Sequence, residues 1–346
     1  MREDIEMIAD ATGRILSDLA DPQTVNGDPS FDTRPLWQAL EEAGLTRAWI
    51  AEDAGGAGLA LDGGFEILRI AGQYACPVAL AETMLAGWAL AEAGVELPDG
   101  ALALAPMRGR DRLVLDGGKV SGTARSVAHG ADADRIVVIV SDQLMTFAPE
   151  DCTITPRETD MGGARADLRF DQARPEVMAD MPGGAAAVER MGAVARAAQM
   201  TGALESALAI VTEYSGEREA FGRKIGKFQA VQQNLAVLAG EVAAALTASG
   251  SAAETLATEN HRTDAAFLEV AAAKIRCGEA VETGAAIAHQ AMGAIGWTQD
   301  HVLQRYTRRL FGWRDDFGTE ADWAVRLGRH VAGLGGDAIW PMLTTR

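Results

Sequence analysis

The stretch REAFGRKIGKFQAVQ, residues 218–232, stands where one alanine-rich segment ends and a second begins. Beyond its glycines, Phe228, Val231, Leu235, Leu238, Val242 and Leu246 recur at three- and four-residue spacing. That stripe spans about five turns at 3.6 residues per turn, the pattern of a bundle helix burying one face. The whole region after residue 186 keeps this helical periodicity.

Upstream, MADMPGGAA (178–186) reads as a Pro/Gly linker. Before it the pattern changes to short strands: LALA at 102–105, RLVL at 112–115, RIVVIV at 135–140, LMTF at 144–147 and ADLRF at 166–170. Asp116, Gly117 and Gly118, between apolar residues in LDGGKV, signal a tight hairpin. From residue 1 to about 99 the periodicity is helical again: Leu36, Leu40, Ala43 and Gly44 close one amphipathic segment, and Ile67, Ile70, Ala71 and Tyr74 recur in another. The glycines of AEDAGGAGLALDGG (51–64) allow backbone conformations closed to other residues, so this loop is expected to be a structured turn. The chain exceeds the roughly 250–300 residues at which a single core stops growing. The expected fold is α+β and multidomain: a helical domain over 1–100, a small β-barrel or sandwich domain over 101–180, and a C-terminal four-helix bundle over 181–346.

The 346 residues hold 31 Lys+Arg against 49 Asp+Glu, a net charge of −18. That field repels nucleic acid and anionic membrane surface, so any polyanionic ligand must be gripped by local arginines. Cys76, Cys152 and Cys277 lie far apart without CxxC spacing, which implies a reducing, cytoplasmic setting with neither disulfide framework nor structural zinc. The acidic start MREDIEMIAD lacks the basic and apolar regions of a signal peptide, and no stretch is expected to span a membrane. GGAGL (55–59) and GAIG (293–296) lack the strand and helix context of a dinucleotide fold. The histidines are not spaced as a metal site, and His289 and His301 read as helix-end residues, so no metal is assigned.

Together with HQAMGAIGWTQDHVLQRYTRR (289–309), the 218–232 stretch resembles the acyl-CoA dehydrogenase family. That family's C-terminal domain carries an RxxFG…fQ segment, then a QxxGGxGy segment followed by a helix. LWQALEEAGLTRAWIAEDAGGAGL (36–59) is similar to the family's amphipathic helix and PExxGGxG turn, so the resemblance covers nearly the whole chain. It implies FAD, an acyl-CoA thioester substrate, electron-transfer flavoprotein as acceptor, and an oligomer. In the family these segments reach the pyrophosphate and adenine of an FAD held mainly by a neighbouring subunit. On this resemblance Arg218, Phe221, Gln229, Gln290, Gly293 and Ala294 are the cofactor-binding candidates. Arg218 supplies a planar fork for phosphate, Phe221 an apolar wall, and Gln229 and Gln290 amide hydrogen bonds.

The sequence departs from the family where the chemistry occurs. The family removes an α-proton with a glutamate while the β-hydride passes to flavin N5. That glutamate lies in a YEGT-like turn, which here is DDFGT (315–319), with Phe317 at the base position. The alternative family position, on the opening helix of the C-terminal domain, matches Gly192. Glu189, about one turn earlier, and Asp316 beside Phe317 are the fallback bases, with Asp315 on the other flank. The family's flavin-facing tExxaGSD loop is reduced to APMRGRD (105–111), and its W-I-[ST] strand to RSVAH (125–129), with Ser126 and Ala128 at the key positions. The resemblance therefore points to a non-catalytic subunit that completes a homologous partner's FAD site. A homomeric, active dehydrogenase with a relocated carboxylate is the alternative, and a non-enzymatic binding protein on the same fold is a more distant one. Arg308 is expected as a structural ion-pair residue, Arg305 and Arg309 on a solvated face, and Trp297 and Trp313 in packing.

Overall fold

The computed structural model describes residues 2–28, 30–157, 162–259 and 261–344, with the backbone alone at 2–4 and 343. The N-terminal part is helical: α1 (Arg2–Leu19), α2 (Pro22–Gly27), α3 (Arg34–Glu42), α4 (Leu61–Gln73) and α5 (Leu80–Glu92). Leu36 and Leu40 are buried one turn apart on α3, as their spacing predicts. The LDGG end of the expected loop instead forms the first turn of α4, where Gly63 and Gly64 are buried.

Two four-stranded sheets follow. Their strands are β1 (Leu102–Ala105), β2 (Arg112–Asp116), β3 (Lys119–Ala128), β4 (Arg135–Val140), β5 (Gln143–Phe147), β6 (Thr153–Pro156), β7 (Arg165–Ala173) and β8 (Val177–Asp180). One sheet runs β1-β4-β5-β8, with β1 parallel to β4, and the other runs β2-β3-β7-β6. Phe147 of the first sheet packs on Phe170 of the second with ring centroids 5.0 Å apart. The domain is thus a sandwich, with no closed barrel among the described residues. The β2–β3 hairpin turns at Gly117 and Gly118, both at positive φ, as the sequence predicts. MAD of the expected linker is the edge strand β8, paired with β5, which shortens the connection to Met181–Gly183.

The remaining chain forms α6 (Gly184–Glu217), the hairpin β9 (Glu219–Ala220) and β10 (Arg223–Lys224), α7 (Gln229–Thr258), α8 (Asp264–Met292), α9 (Leu303–Asp315), α10 (Glu320–Leu334) and α11 (Gly336–Thr344). Helices α4 and α6 cross at glycines: a Cβ on Gly72 would fall 2.2 Å from the Gln199 carbonyl oxygen, and one on Gly202 1.9 Å from that of Arg69. Backbone approach this close locks the N-terminal helices to the bundle. The buried apolar cluster runs continuously from Leu16 to Trp323. By length and composition alone α7 is apolar enough to cross a membrane, although Glu241 and Glu254 interrupt it. Only 28% of its most apolar window is buried within the chain.

Candidate active site

The turn after α9 is built around buried charge. Lys274 of α8, 1% exposed, donates from Nζ to the carbonyl of Arg314 at 2.7 Å, capping the end of α9. Its burial pulls the ammonium down to about 8. Two residues on, Asp316 is fully buried and accepts from both terminal nitrogens of Arg165 (2.9 and 3.0 Å) and from Nε of Arg196 (3.1 Å). Arg196 continues to Gln199 Oε1 and Glu82 Oε1, each at 2.6 Å, and Arg165 to the carbonyl of Ser126 at 2.8 Å. Burial pushes the Asp316 and Glu82 carboxyls up, and the neighbouring arginines more than reverse this, so both stay below their ordinary values. The cluster joins α5, α6, β7 and the turn, and hence all three structural regions. Asp316 is therefore corrected as a fallback base: both its oxygens face arginines in the interior, where no substrate can reach.

Phe317 sits directly above this cluster. Its backbone takes a φ of 55°, its N–H donates to the Met107 carbonyl at 2.7 Å, and its own carbonyl accepts from Trp323 Nε1 at 2.9 Å. The ring is 3% exposed and lies against α6, where a Cβ on Gly192 would come within 2.4 Å of it. The two positions that the resemblance matches to the family's base therefore face each other across one space, and the phenyl ring fills it.

Glu189 lines a cavity of about 310 Å³ bounded by the 105–109 loop, Asp111, Ile139, the start of α6 and Phe317. Both its oxygens are held by Arg326, at 2.6 and 2.8 Å. Asp315 instead meets Arg108, at 3.5 Å.

The 105–111 and 125–129 segments, which the resemblance assigns to the flavin, are bonded inward as well. Ser126 occupies an irregularity of β3 at a φ of 56°, its N–H bonded to Asp167 Oδ1 at 2.8 Å. The Ala128 N–H points at the sulfur of Met107, 3.3 Å away. A flavin ring between the 105–111 loop and the 315–319 turn needs about 7 Å, two van der Waals contacts of about 3.5 Å each. Here the two backbones share a hydrogen bond, so these residues do not fit the ring of an FAD.

The other candidates gather at the opposite kind of surface. Arg218 ends α6, and the β9–β10 hairpin turns through Phe221 (φ 53°) and Gly222 (φ 77°) into Phe228 and Gln229 at the start of α7. Phe221 is 96% exposed and stands edge-on to Phe228 with ring centroids 6.3 Å apart, while Arg223 covers the Phe228 ring at 4.1 Å. Helix α8 runs back so that Gln290 meets Asn234 of α7 at 3.4 Å, which brings Gln290, Gly293 and Ala294 to the same end of the bundle as Gln229 and Arg218. Arg218, Gln229, Gln290, Gly293 and Ala294 are all exposed. A phosphate and a heterocycle fit this set: an Arg fork, two amides, an aromatic face and backbone approachable at glycine. His289 behind it is structural, bonding Thr307 Oγ1 at 2.9 Å and stacking on Trp297 at 3.7 Å. Trp313 is buried as expected, whereas Trp297 is 70% exposed.

Sequence reasoning did not find Glu82, Arg165, Arg196 and Lys274. For Glu82, Arg196 and Lys274 the available signal was a lone charge inside an otherwise apolar helical face, as in ALAETML, GAVARAAQM and AAAKIRC, whereas Arg165 lies on strand β7. Such a charge is stable only if it meets a partner inside the protein.

Residues 169–314 match the family model described as acyl-CoA dehydrogenase, C-terminal domain. Acyl-CoA dehydrogenase IpdE2 of Mycobacterium tuberculosis is 29% identical over 315 residues, covering 90% of this chain and 92% of that protein. Among solved structures, the ChsE4–ChsE5 complex from Mycobacterium tuberculosis shares the fold, with a TM-score of 0.85, 23% identity, and coverage of 95% of this chain and 97% of that one. The Tcur3481–Tcur3483 steroid ACAD superposes with a TM-score of 0.84 at 26% identity, covering 96% and 98%. With helical, sandwich and helical regions in the same order and the two C-terminal segments side by side, the chain is similar to acyl-CoA dehydrogenases over nearly its whole length, and residues 169–314 match that family's C-terminal domain.

Proposed function

We propose that this chain is the non-catalytic subunit of a heteromeric, FAD-dependent acyl-CoA dehydrogenase, which completes the cofactor site of a homologous, catalytic partner. The observation that carries this reading is the Phe317 ring packed onto Gly192, which closes both base positions at once. A residue that cannot accept a proton, in a space with no room for another, gives no route to α-proton removal. The exposed hairpin end supports the complementary half: Arg218, Phe221, Gln229, Gln290, Gly293 and Ala294 contact the phosphates and adenine of FAD seated in the partner. FAD there supplies hydride acceptance, and this chain's contribution is to hold the cofactor and exclude water from it. The substrate is an acyl-CoA thioester of the bulky steroid-side-chain kind, in keeping with the complex and the steroid ACAD that share this fold. Electrons leave the partner's flavin to an electron-transfer flavoprotein.

Flavin-to-chain ratio and native mass test this. The chain purified alone is expected to hold little flavin even after incubation with FAD. Co-expressed with a dehydrogenase-like chain, it is expected to form a complex with one flavin for every two chains. Stoichiometric flavin in the isolated chain, bleached by an acyl-CoA, overturns the reading. The second reading, a homomeric active enzyme, rests on Glu189 lining the cavity beside Phe317. It requires that bleaching, and its loss in Glu189→Gln.

A further inference from the structure

Arg305 and Arg309 lie about one turn apart on α9, and the structure overturns the solvated face expected for them. Arg309 is only 6% exposed. Arg305 donates from Nη2 to the Ala75 carbonyl at 3.1 Å, and Arg309 from Nη1 to the Cys76 carbonyl at 2.9 Å. Nε of each is buried with no acceptor among the described residues. Among the described residues neither guanidinium has a carboxylate at ion-pair distance, whereas the buried Arg165 and Arg196 are matched by Asp316 and Glu82. Desolvation, and then the neighbouring charge of Arg305, draw Arg309 down to about 9.

Both arginines line a cavity of about 360 Å³ between α2, the segment at Phe31 and Thr33, α9 and the Gly162–Gly163 backbone. Gly162 rests so closely on α9 that a Cβ would be 3.0 Å from the Arg309 nitrogen, which makes this backbone a wall of the cavity. Asn26, Gln299 and Gln304 give it a polar lining. Asp28 is also present, but its Oδ1 is occupied by the N–H and hydroxyl of Ser30, at 2.8 and 2.7 Å. In a chain of net charge −18, a buried and a half-buried cation with no counter-ion among the described residues require a reason.

We propose that this cavity binds a phosphate monoester, its dianionic group held between Arg305 and Arg309 and its polar body filling the remaining space. Guanidinium forks match phosphate oxygens in geometry, and two cations match the charge of the dianion. The volume falls in the range of small-molecule sites, about 300–1,000 Å³, and exceeds what bare phosphate needs. The site is independent of the flavin-facing hairpin and of the subunit reading.

Calorimetric titration and thermal unfolding of the full chain, at ionic strength matched with chloride, test the assignment with inorganic phosphate and adenosine 3′,5′-bisphosphate as probes. Both are expected to bind once per chain and raise Tm, the bisphosphate at least tenfold more tightly. Arg309→Gln and Arg305→Gln are expected to weaken binding at least tenfold, while Arg329→Gln, an exposed control on α10, leaves it unchanged. Without phosphate, Arg309→Gln is expected to unfold at or above the wild-type Tm, because an unmatched buried charge has gone. Stabilisation no greater than chloride gives, binding retained in Arg309→Gln, or an equal fall in its Tm with and without phosphate overturns the site. Binding of inorganic phosphate without the bisphosphate overturns the monoester.

Discussion

The 315–319 turn and the 218–228 hairpin are the two places that the resemblance assigns to flavin, and in this structure they differ in opposite ways. The turn is buried, cross-bonded and filled: Asp316 is fully buried with both carboxylate oxygens on arginines, and Phe317 is nearly so, with its N–H and carbonyl bonded to Met107 and Trp323. The hairpin carries a 96% exposed phenylalanine at its tip and an arginine with no ion pair among the described residues. A site that loses its chemistry is free to become core, whereas a segment that serves another chain must stay outside. The contrast predicts that changes at the turn act on stability and changes at the hairpin act on assembly.

The largest effect is expected at Arg196. Arg196→Ala leaves Glu82 and Asp316 buried with less counter-charge and should lower unfolding free energy by about 3–5 kcal/mol in urea titration. A loss below about 1 kcal/mol would mean that the cluster does not bind the three regions together. The same carboxylates give an acid limb. Their folded values lie below the unfolded ones, near 4, so their contribution is present above that pH and fades as pH falls through the folded values.

Lys274 adds a second window of the same sign, in the alkaline range. Its folded value of about 8 lies below the unfolded value of about 10.4, so between these the unfolded chain binds a proton that the folded chain does not. Stability relative to Lys274→Met should therefore rise with pH across that window, with a slope of at most about 1.4 kcal/mol per unit. A flat difference between the two proteins from pH 8 to 10 would show that Lys274 stays charged beneath the turn.

Gly192→Ala probes the filled space itself. Its methyl must displace the Phe317 ring, at a cost of about 1–3 kcal/mol. The cost should largely vanish in a Phe317→Ala background, where the space is open, and a double-mutant cycle reads the coupling. Additive effects would mean that ring and helix do not compete for one volume.

These sites were legible in the sequence to unequal degrees. The helical and strand regions announced themselves through periodicity, and LDGGKV through its turn chemistry, because local sterics determine both. Strands β6 and β8 did not, since each is an edge strand with few buried side chains and little alternation to read. Phe317 and Gly192 were legible as missing carboxylates, but not as neighbours, because their contact joins residues distant in the chain. Arg309 misled for a related reason: helical spacing places it on a face, and only the fold reveals that the 75–76 and 162–163 backbones cover that face.

The smallest effect on stability, and the most informative on function, is expected at Phe221. A side chain 96% exposed contributes almost nothing to its own fold, so Phe221→Ala should leave unfolding free energy within about 0.5 kcal/mol of wild type. In the complex with a flavin-bearing partner the same ring would be buried against the cofactor, and its removal should speed flavin loss on dilution. Arg218→Ala should do the same with a steeper dependence on salt, because it removes a charge contact and not an apolar one. If both variants release flavin at the wild-type rate while the complex stays intact, the hairpin does not touch the cofactor. The exposure that distinguishes it from the 315–319 turn would then need another explanation.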